Sequence, residues 1–227
     1  MGAHLPHAVG AAYAAKVRGE EAAAMCWFGD GASSEGAAHE AMNQAAVASL
    51  PVVFLCENNG YAISVPLAQQ MAVPSVAARA AGYGMAGATV DGTDAAAVHA
   101  AVSEAVHRAR AGDGPTLLDL QVPRLVPHSS QDDEHYRTDE ERERSAALDP
   151  LPRLEQEVLR RGLLDEQQVA ALWQSTHDSV RVDVERALAR PGPDAARARQ
   201  WLFAGDPPHE YATQLDAGPL PPGVFRS

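Results

Sequence analysis

The sequence predicts an α/β protein: a parallel sheet with crossover helices, followed by a small C-terminal helical region. In the first half of the chain, short apolar runs alternate with segments of helix-forming composition. Strands that alternate with helices in this way pair in parallel through right-handed crossovers. Further along, amphipathic patterns replace the apolar runs. We therefore expect an α/β domain at 1–122, a long loop at 123–149, and a helical region with a tail at 150–227.

The α/β elements follow from local patterns. The run "AAAMCWF" is continuously apolar, which is typical of strands buried on both faces of a parallel sheet, and "PVVFLCENN" is a second apolar strand with β-branched and aromatic residues. The intervening segments are rich in Ala, with apolar residues at helical spacing, and Asp94 is a plausible N-cap for one of them. The strands are expected at 22–28, 51–59, 86–90 and 115–122, and the helices at 6–18, 34–49 and 94–111.

The second half has a different character. Residues 123–149 are charged and show no apolar periodicity, and a loop of that length is usually functional or disordered. Residues 150–190 then predict two amphipathic helices. Gly162 is the expected C-cap of the first helix, and Asp165 is the expected N-cap of the second.

Composition excludes several classes of function. The chain has 30 acidic and 18 basic residues, a formal net charge of −12, which disfavours a phosphate-backbone contact surface and therefore nucleic acid. Its two cysteines, Cys26 and Cys56, both fall in apolar runs and are expected to be reduced core residues. The sequence has neither a signal-peptide pattern nor an apolar run of transmembrane length. A cytoplasmic protein without membrane contact is predicted.

Polar residues stand at the ends of the first two predicted strands. The first strand ends at Gly29 and Asp30, and the second ends at Asn58 and Asn59. Ligands bind beyond the carboxyl ends of parallel strands. Asp30, Asn59 and a loop carbonyl such as that of Tyr61 would form an all-oxygen set suited to Mg²⁺ or Ca²⁺, and the flanking glycines would let the backbone approach a diphosphate.

The conjunction of the two strand ends carries this interpretation. A single "GDG" is usually an ordinary turn, and so is a single "NNG". Here both patterns occur at strand ends, and the 26 residues between Gly31 and Asn58 match one helix plus one strand. A generic dinucleotide-binding domain is not indicated, because no GxGxxG pattern opens the first strand-to-helix turn.

This spacing resembles the thiamine diphosphate-binding motif, in which GDG is followed by NN. The resemblance extends to the alpha subunit of the decarboxylating component of 2-oxo acid dehydrogenases, with the branched-chain form most similar, and covers roughly residues 5–190. It implies a partial thiamine diphosphate-binding fold. The motifs that carry it occur in the same order in this chain: "AVGAAYAAK", "GDGASSEG", "NNGYAIS", "GYG", "VDGTD" and "HSSQDDEHYR".

The resemblance assigns roles by position. It implies thiamine diphosphate and Mg²⁺ as cofactors, with the metal held by Asp30, Asn59 and the backbone carbonyl of Tyr61. The implied reaction is decarboxylation of a 2-oxo acid followed by acyl transfer to a lipoyl acyltransferase. The implied cofactor-binding set comprises Gly29, Asp30, Gly31, Ala32, Asn59, Tyr61 and His128.

The loop at 123–149 resembles the family's active-site and phosphorylation loop. An isolated histidine in a charged loop is usually just solvated, but the resemblance makes His128 the expected catalytic residue. Ser129 matches a position phosphorylated in mitochondrial relatives, and an unmodified loop serine is the alternative. The family's loop-tying residues match Arg124, Asp132, Tyr136 and Arg137, for which a solvated charge run is the alternative.

The sequence also departs from the family. Glu57 stands where the branched-chain form often has an arginine, and pyruvate-type subunits of the family also have glutamate there. Pro127 replaces a residue that is often Gly or His in the family. The N-terminal part of the family pattern is absent, so either a separate N-terminal half chain supplies it or the chain is a truncated product. A beta subunit and a lipoyl acyltransferase are the other implied partners, in a heterotetrameric assembly.

Two classes of function remain open at this stage. One is the alpha subunit of a branched-chain 2-oxo acid dehydrogenase, with pyruvate or acetoin forms as variants. The other is a non-catalytic fragment that keeps a subunit-binding role.

Overall fold

The α/β part of the protein is built around a four-stranded parallel sheet, in which Ala24–Gly29, Val52–Asn58, Thr116–Gln121 and Ala86–Asp91 lie side by side in that order. The computed structural model describes residues 2–194 of the 227-residue chain. A separate antiparallel hairpin joins two very short strands. In chain order the strands are β1 (Ala24–Gly29), β2 (Val52–Asn58), β3 (Tyr61–Ala62), β4 (Val65–Pro66), β5 (Ala86–Asp91) and β6 (Thr116–Gln121).

Helices connect and cover these strands. The chain also has two 3₁₀ turns among the described residues: Asp30–Ser34 directly follows the carboxyl end of β1, and Ala77–Arg79 directly precedes the helix Ala80–Tyr83. The α-helices of this unit are α1 (His4–Arg18), α2 (Gly36–Val47), α3 (Leu67–Gln70), α4 (Ala80–Tyr83), α5 (Ala95–Ala111), α6 (Asp139–Ala147) and α7 (Pro150–Arg160).

The sheet has an apolar layer on each face. Residues Val52 to Cys56 of β2 are all at most 1 % exposed, because this strand has a neighbour on both sides and a layer on both faces. One face packs against Leu5 and Ala12 of α1 and Met42 of α2. The opposite face packs against α5, in a cluster that includes Val53, Leu55, Ala105, Leu118 and Leu120.

The predicted strands and helices of the α/β part are confirmed, with small shifts at their ends. The Asp94 carboxylate accepts hydrogen bonds from the N–H groups of Ala96 and Ala97, so Asp94 caps α5 as expected. Cys26 and Cys56 are buried, free cysteines, also as expected. Gly162 adopts a left-handed φ of 64° one residue beyond the C-cap of α7.

Residues 123–149 contain more structure than a loop. Helix α6 begins after Thr138, whose hydroxyl accepts the Glu141 N–H while the Glu141 carboxylate accepts the Thr138 N–H. This reciprocal capping box stabilises the helix start despite the absence of an apolar stripe. The polar helix start expected at the end of this segment is therefore a complete helix.

The chain divides into two compact units, residues 1–166 and 167–227. The described part of the second unit, residues 167–194, consists mainly of α8 (Glu166–Leu188), which begins directly after Asp165. The predicted domain boundaries at 122 and 149 stay a prediction. The tail predicted at the C-terminus, from residue 195 onward, lies outside the residues that the structure describes. Within residues 2–194, no helix is long and apolar enough to cross a membrane.

Candidate functional site

The carboxyl ends of β1 and β2 meet at one edge of the sheet. Gly29, the last residue of β1, pairs with Glu57 of β2, so Asp30 follows β1 at the edge where β2 ends one residue later, at Asn58. Asp30 opens the 3₁₀ turn and is only 1 % exposed. A buried carboxylate needs polar partners or a cation to offset its lost hydration. This edge is where the sequence predicted a metal-diphosphate site.

Asp30 has polar partners on both its side chain and its backbone. The Gln70 side-chain amide donates to Asp30 Oδ2 at 2.7 Å. The Ser33 hydroxyl donates to the Asp30 backbone carbonyl at 2.6 Å, which fixes the turn. Among residues 2–194, no donor is hydrogen-bonded to Oδ1, so one carboxylate oxygen is available to a cation.

The two glycines of the "GDG" stretch have different structural reasons. A Cβ added to Gly31 would lie 2.7 Å from the Cβ and 3.3 Å from the Cα of Ala62, so the hairpin of β3 and β4 packs directly on this glycine. A Cβ added to Gly29 would meet no atom within 4 Å. The sequence predicts that both glycines line a diphosphate, and this role stays a prediction. On the side where a Cβ would be added, Gly29 faces open space and Gly31 faces Ala62.

Ala32, the other residue predicted to line the diphosphate, is 6 % exposed, and its methyl group belongs to the core cluster. Any contact it makes with a ligand would therefore come from its backbone. Its burial also explains why the 3₁₀ turn lies close against the sheet.

Asn59 and Tyr61 form the second half of the site. The Asn59 side-chain oxygen accepts the Tyr61 N–H at 3.1 Å, an arrangement that holds the turn after β2. The Tyr61 carbonyl accepts a hydrogen bond from the Arg124 guanidinium at 2.8 Å. Each of these oxygens keeps a second lone pair, but the Tyr61 carbonyl shares its surroundings with a cation, which weakens it as a metal ligand relative to Asp30 and Asn59.

Two arginines lie over the ring of Tyr61. The guanidinium carbons of Arg124 and Arg137 lie 5.6 Å and 5.8 Å from the centre of its ring. Its hydroxyl donates to Glu141 of α6 at 3.1 Å. Burial, followed by the hydrogen bond to the Glu141 carboxylate, raises the pKa of Tyr61 above its ordinary value. The phenol therefore stays neutral and acts as a donor.

His128 is reached from Tyr61 by a chain of hydrogen bonds. Arg124 donates to the Tyr136 hydroxyl at 2.9 Å, and that hydroxyl donates to Asp132 Oδ2 at 2.7 Å. The same carboxylate oxygen accepts the His128 backbone N–H at 2.9 Å. The His128 ring is exposed, and among the described residues it makes no hydrogen bond to the predicted metal ligands. The loop that carries the ring is nevertheless tied to the metal-site turn.

A buried ion pair closes the base of this loop. Arg137 donates to Glu134 at 2.7 Å, and their side chains are 3 % and 8 % exposed. Arg137 also donates to the Ser145 hydroxyl at 2.7 Å and to the Arg124 carbonyl at 3.2 Å. The expectation that Arg124, Asp132, Tyr136 and Arg137 tie the loop together is therefore confirmed, and a purely solvated charge run is excluded.

A cavity of about 470 Å³ opens beside Asn59 and Tyr61. Its position at the sheet edge and its excess of positive over negative side chains favour an anionic ligand. The charged residues that line it are Arg124, Arg137, Arg144 and Arg153, with Asp91 and Glu141.

The donor chemistry fits a hard cation. Among residues 2–194, no three His, Cys, Asp or Glu side chains cluster in a way that would hold a metal by themselves. One carboxylate, one amide oxygen and one carbonyl leave several positions of an octahedron for water and phosphate, which is typical of Mg²⁺. The residues present therefore fit Mg²⁺ with a bound diphosphate.

Sequence reasoning missed two residues that contact this site. Gln70 binds the Asp30 carboxylate, and Arg79 donates to Ser33 in the same turn. Gln70 lies in a stretch with no periodic pattern. Arg79 offered a weak signal, since it is the one charged residue in "SVAARAAGYG".

Comparisons with known proteins agree with these motifs. A family model described as "Dehydrogenase E1 component" matches residues 1–196. The chain is 46 % identical over 185 residues to a Mycobacterium tuberculosis protein named 3-methyl-2-oxobutanoate dehydrogenase subunit alpha, covering 80 % of this chain and 50 % of that protein. It is 48 % identical over 164 residues to the 2-oxoisovalerate dehydrogenase subunit alpha of Bacillus subtilis, covering 72 % and 50 %.

A human protein named 2-oxoisovalerate dehydrogenase subunit alpha, mitochondrial, is 40 % identical over 196 residues, which cover 86 % of this chain and 44 % of the human one. The chain thus spans about half the length of the curated relatives it matches. A solved structure of a candidate thiamin diphosphate-dependent enzyme from Mycobacterium smegmatis superposes with a TM-score of 0.42 at 30 % identity, over 53 % of this chain and 22 % of that one.

Proposed function

The chain belongs to the dehydrogenase E1 component family, and from that membership we propose that it is the alpha-type part of a thiamine diphosphate-dependent 2-oxo acid dehydrogenase. The proposed reaction is oxidative decarboxylation of branched 2-oxo acids, with 3-methyl-2-oxobutanoate as the substrate and a lipoyl acyltransferase as the acyl acceptor. The names of the bacterial relatives support this substrate. We propose a cytoplasmic location.

One observation carries the proposal. Asp30 is almost fully buried at the end of β1, with one carboxylate oxygen hydrogen-bonded to Gln70 and the other without a donor among the described residues. The turn that contains Asn59 lies at the end of the adjacent strand, and its hairpin packs on Gly31. A buried carboxylate with a free oxygen at the ligand-binding edge of a parallel sheet is suited to a bound cation.

The residues of this chain would act by binding and orienting. Asp30 and Asn59 would hold Mg²⁺, Gly29 leaves room for the diphosphate, and the nearby arginines would attract its charge. Thiamine diphosphate, when bound, supplies the carbanion chemistry for decarboxylation. His128 would exchange a proton through its exposed imidazole, while Asp132 holds the backbone of its loop.

Partner chains are part of the proposal. We propose that a beta subunit and a lipoyl acyltransferase assemble with this chain, and that the remainder of the family's alpha subunit is supplied in cis or by a separate polypeptide. Pyruvate- and acetoin-type substrates are the alternatives within the same reaction, since Glu57 occupies the position at which branched-chain and pyruvate forms differ.

The test is a substrate comparison with the assembled protein. The full chain would be co-expressed with a beta subunit and with any adjacent segment that supplies the rest of the family pattern, and decarboxylation would be followed with Mg²⁺ and thiamine diphosphate present. Faster turnover of 3-methyl-2-oxobutanoate than of pyruvate is expected, and His128→Ala should lower the rate. Preference for pyruvate would overturn the substrate assignment, and absence of turnover with every substrate would favour a subunit-binding role without catalysis.

A further inference from the structure

A second buried carboxylate, Asp119, lies in the middle of the sheet. Asp119 of β6 is 0 % exposed and pairs in register with Cys56 of β2. Its Oδ2 accepts the Val76 backbone N–H at 2.9 Å, while its Oδ1 is buried with no partner among the described residues. An incompletely paired buried carboxylate is unfavourable in an apolar strand. The residue needs a reason beyond packing.

The hydrogen bond from Val76 leads toward the candidate metal site. Val76 is the N-cap of the 3₁₀ turn Ala77–Arg79, so Asp119 anchors the start of this turn. At the end of the turn, Arg79 donates to the Ser33 carbonyl at 2.5 Å and to the Ser33 hydroxyl at 3.0 Å. The Ser33 hydroxyl in turn donates to the Asp30 carbonyl. A continuous path therefore runs from Asp119 to the backbone of Asp30.

The same segment reaches the Asp30 side chain from its other end. Gln70 donates to Asp30 Oδ2 at 2.7 Å and to the Val65 carbonyl at 2.9 Å, which fixes the orientation of the carboxylate. The buried Oε1 of Gln70 has no hydrogen-bond partner among the described residues. The side chain is therefore oriented by the two hydrogen bonds that its Nε2 donates. Residues 70–79 thus touch Asp30 at its side chain through Gln70 and at its turn through Arg79.

The buried Cys56 thiol is influenced by both carboxylates and by Arg79. Burial raises the pKa of the Cys56 thiol, and the negative charges of Asp119 and Asp30 raise it further, while Arg79 acts in the opposite direction. The thiol is therefore within electrostatic reach of both carboxylates and of the guanidinium. Arg79 donates to both the carbonyl and the hydroxyl of Ser33, and these contacts give a structural reason for a charged side chain in this small-residue stretch.

We propose that residues 70–79 form a clamp that positions the Asp30 carboxylate for a divalent cation, with Arg79 and Gln70 as its contacts and Asp119 as its buried anchor. These are positioning residues, and none is required to touch a ligand. Gln70 contacts the Asp30 carboxylate directly, whereas Arg79 acts through Ser33 and Asp119 acts through the segment that begins at Val76. The inference rests on the proposed function only for the identity of the cation. The clamp itself is a property of the folded chain.

The first measurement is amide hydrogen exchange in the full chain, which needs no ligand. Arg79→Ala should raise exchange in the Asp30–Ser34 turn by about tenfold, as expected for the loss of hydrogen bonds to a charged donor, and leave α5 unchanged. Arg79→Lys, which keeps a donor, should restore part of the protection. Arg110→Ala, an exposed arginine on α5, is the matched control and should leave the turn unchanged.

The second measurement is Mg²⁺ dependence. In the chain assembled with its beta subunit and thiamine diphosphate, Gln70→Ala and Arg79→Ala should each raise the Mg²⁺ concentration for half-maximal cofactor binding by about tenfold, at an unfolding midpoint close to that of the unaltered chain. Asp119→Asn keeps an acceptor for the Val76 N–H and should have a small effect, whereas Asp119→Leu should act like Arg79→Ala.

The outcomes separate the two proposals. If the unaltered chain binds neither Mg²⁺ nor thiamine diphosphate in any assembly, the proposed function fails, and the hydrogen-exchange result still decides on the clamp. If Arg79→Ala unfolds the protein, the milder Gln70→Ala and Arg79→Lys variants decide. Unchanged exchange in the Asp30–Ser34 turn of folded Arg79→Ala and Gln70→Ala variants would overturn the clamp.

Discussion

Replacing Gly31 by alanine should destabilise the protein, whereas the same change at Gly29 should not. The new Gly31 Cβ would lie 2.7 Å from the Ala62 Cβ, although carbon atoms pack at about 3.5–4.0 Å, so the hairpin would have to move by roughly 1 Å. The Ala62 methyl is attached directly to backbone that is paired with Val65, and it cannot rotate away. Overpacking of this kind costs about 1–3 kcal/mol of the free energy of unfolding.

Urea unfolding measures this difference. With a slope of about 2 kcal/mol per molar urea, the midpoint for Gly31→Ala should fall by about 0.5–1.5 M. Gly29→Ala is the matched control: its backbone is extended, with φ −85° and ψ 164°, and its Cβ would enter open space. Its free energy of unfolding should stay within about 0.5 kcal/mol of the unaltered chain.

A second substitution tests the cause. Ala62→Gly in the Gly31→Ala background removes the 2.7 Å contact and leaves only the Ala62 Cα at 3.3 Å, so part of the lost stability should return. If Gly31→Ala and Gly29→Ala unfold at the same urea concentration, the close packing of the hairpin on the turn is refuted.

Three further predictions concern the charged loops. The hydrogen bond from His135 to Asp133 raises the pKa of His135, so the stabilisation from this pair is present below about pH 6.5 and is lost as pH rises through the folded-state pKa. In Asp133→Asn, an NMR titration should show a lower His135 pKa, and an unchanged pKa would contradict the pairing. Hydrogen bonds from Thr93 and then Arg153 lower the pKa of Asp91 to about 2, so the stabilisation that these bonds give the folded chain is present above about pH 4 and is lost as pH falls toward 2. Arg153→Ala should raise the Asp91 pKa in an NMR titration and make the free energy of unfolding less sensitive to acid, and an equal acid sensitivity would contradict this role of Asp91. Asp132→Ala removes a carboxylate that accepts three hydrogen bonds within its loop, so limited proteolysis should cut the loop faster than in the unaltered chain, and an equal rate would contradict its bracing role.

The sheet and its ligand-binding edge could be predicted from the sequence because their signals are local. The runs that end at Phe28 and Cys56 are continuously apolar, and glycine or asparagine follows each of them within two residues. A single helix joins β1 to β2, which favours neighbouring parallel strands, and the pairing of Gly29 with Glu57 shows that they are neighbours. The prediction of adjacent strand ends needed no tertiary information.

The contacts that complete the site could not be predicted because they join residues far apart in the chain. Gln70 reaches Asp30 across 40 positions, and Arg124 reaches Tyr61 across 63. The hairpin of β3 and β4 has strands of only two residues, which is too short for an alternation of apolar and polar residues to be recognised in the sequence. Ile63 within it has a φ of 55°, an unfavourable conformation for a β-branched residue, and the hydrogen bond from Arg124 to its carbonyl helps to hold it.

The most direct test of the central claim is a titration of thiamine diphosphate with and without Mg²⁺, using the full chain assembled with a beta subunit. Binding should require Mg²⁺, should be lost in Asp30→Asn, and should weaken in Asn59→Ala. A folded Asp30→Asn variant that binds the cofactor as tightly as the unaltered protein, or binding that is independent of Mg²⁺, would contradict the assignment of the buried Asp30 carboxylate as the metal ligand.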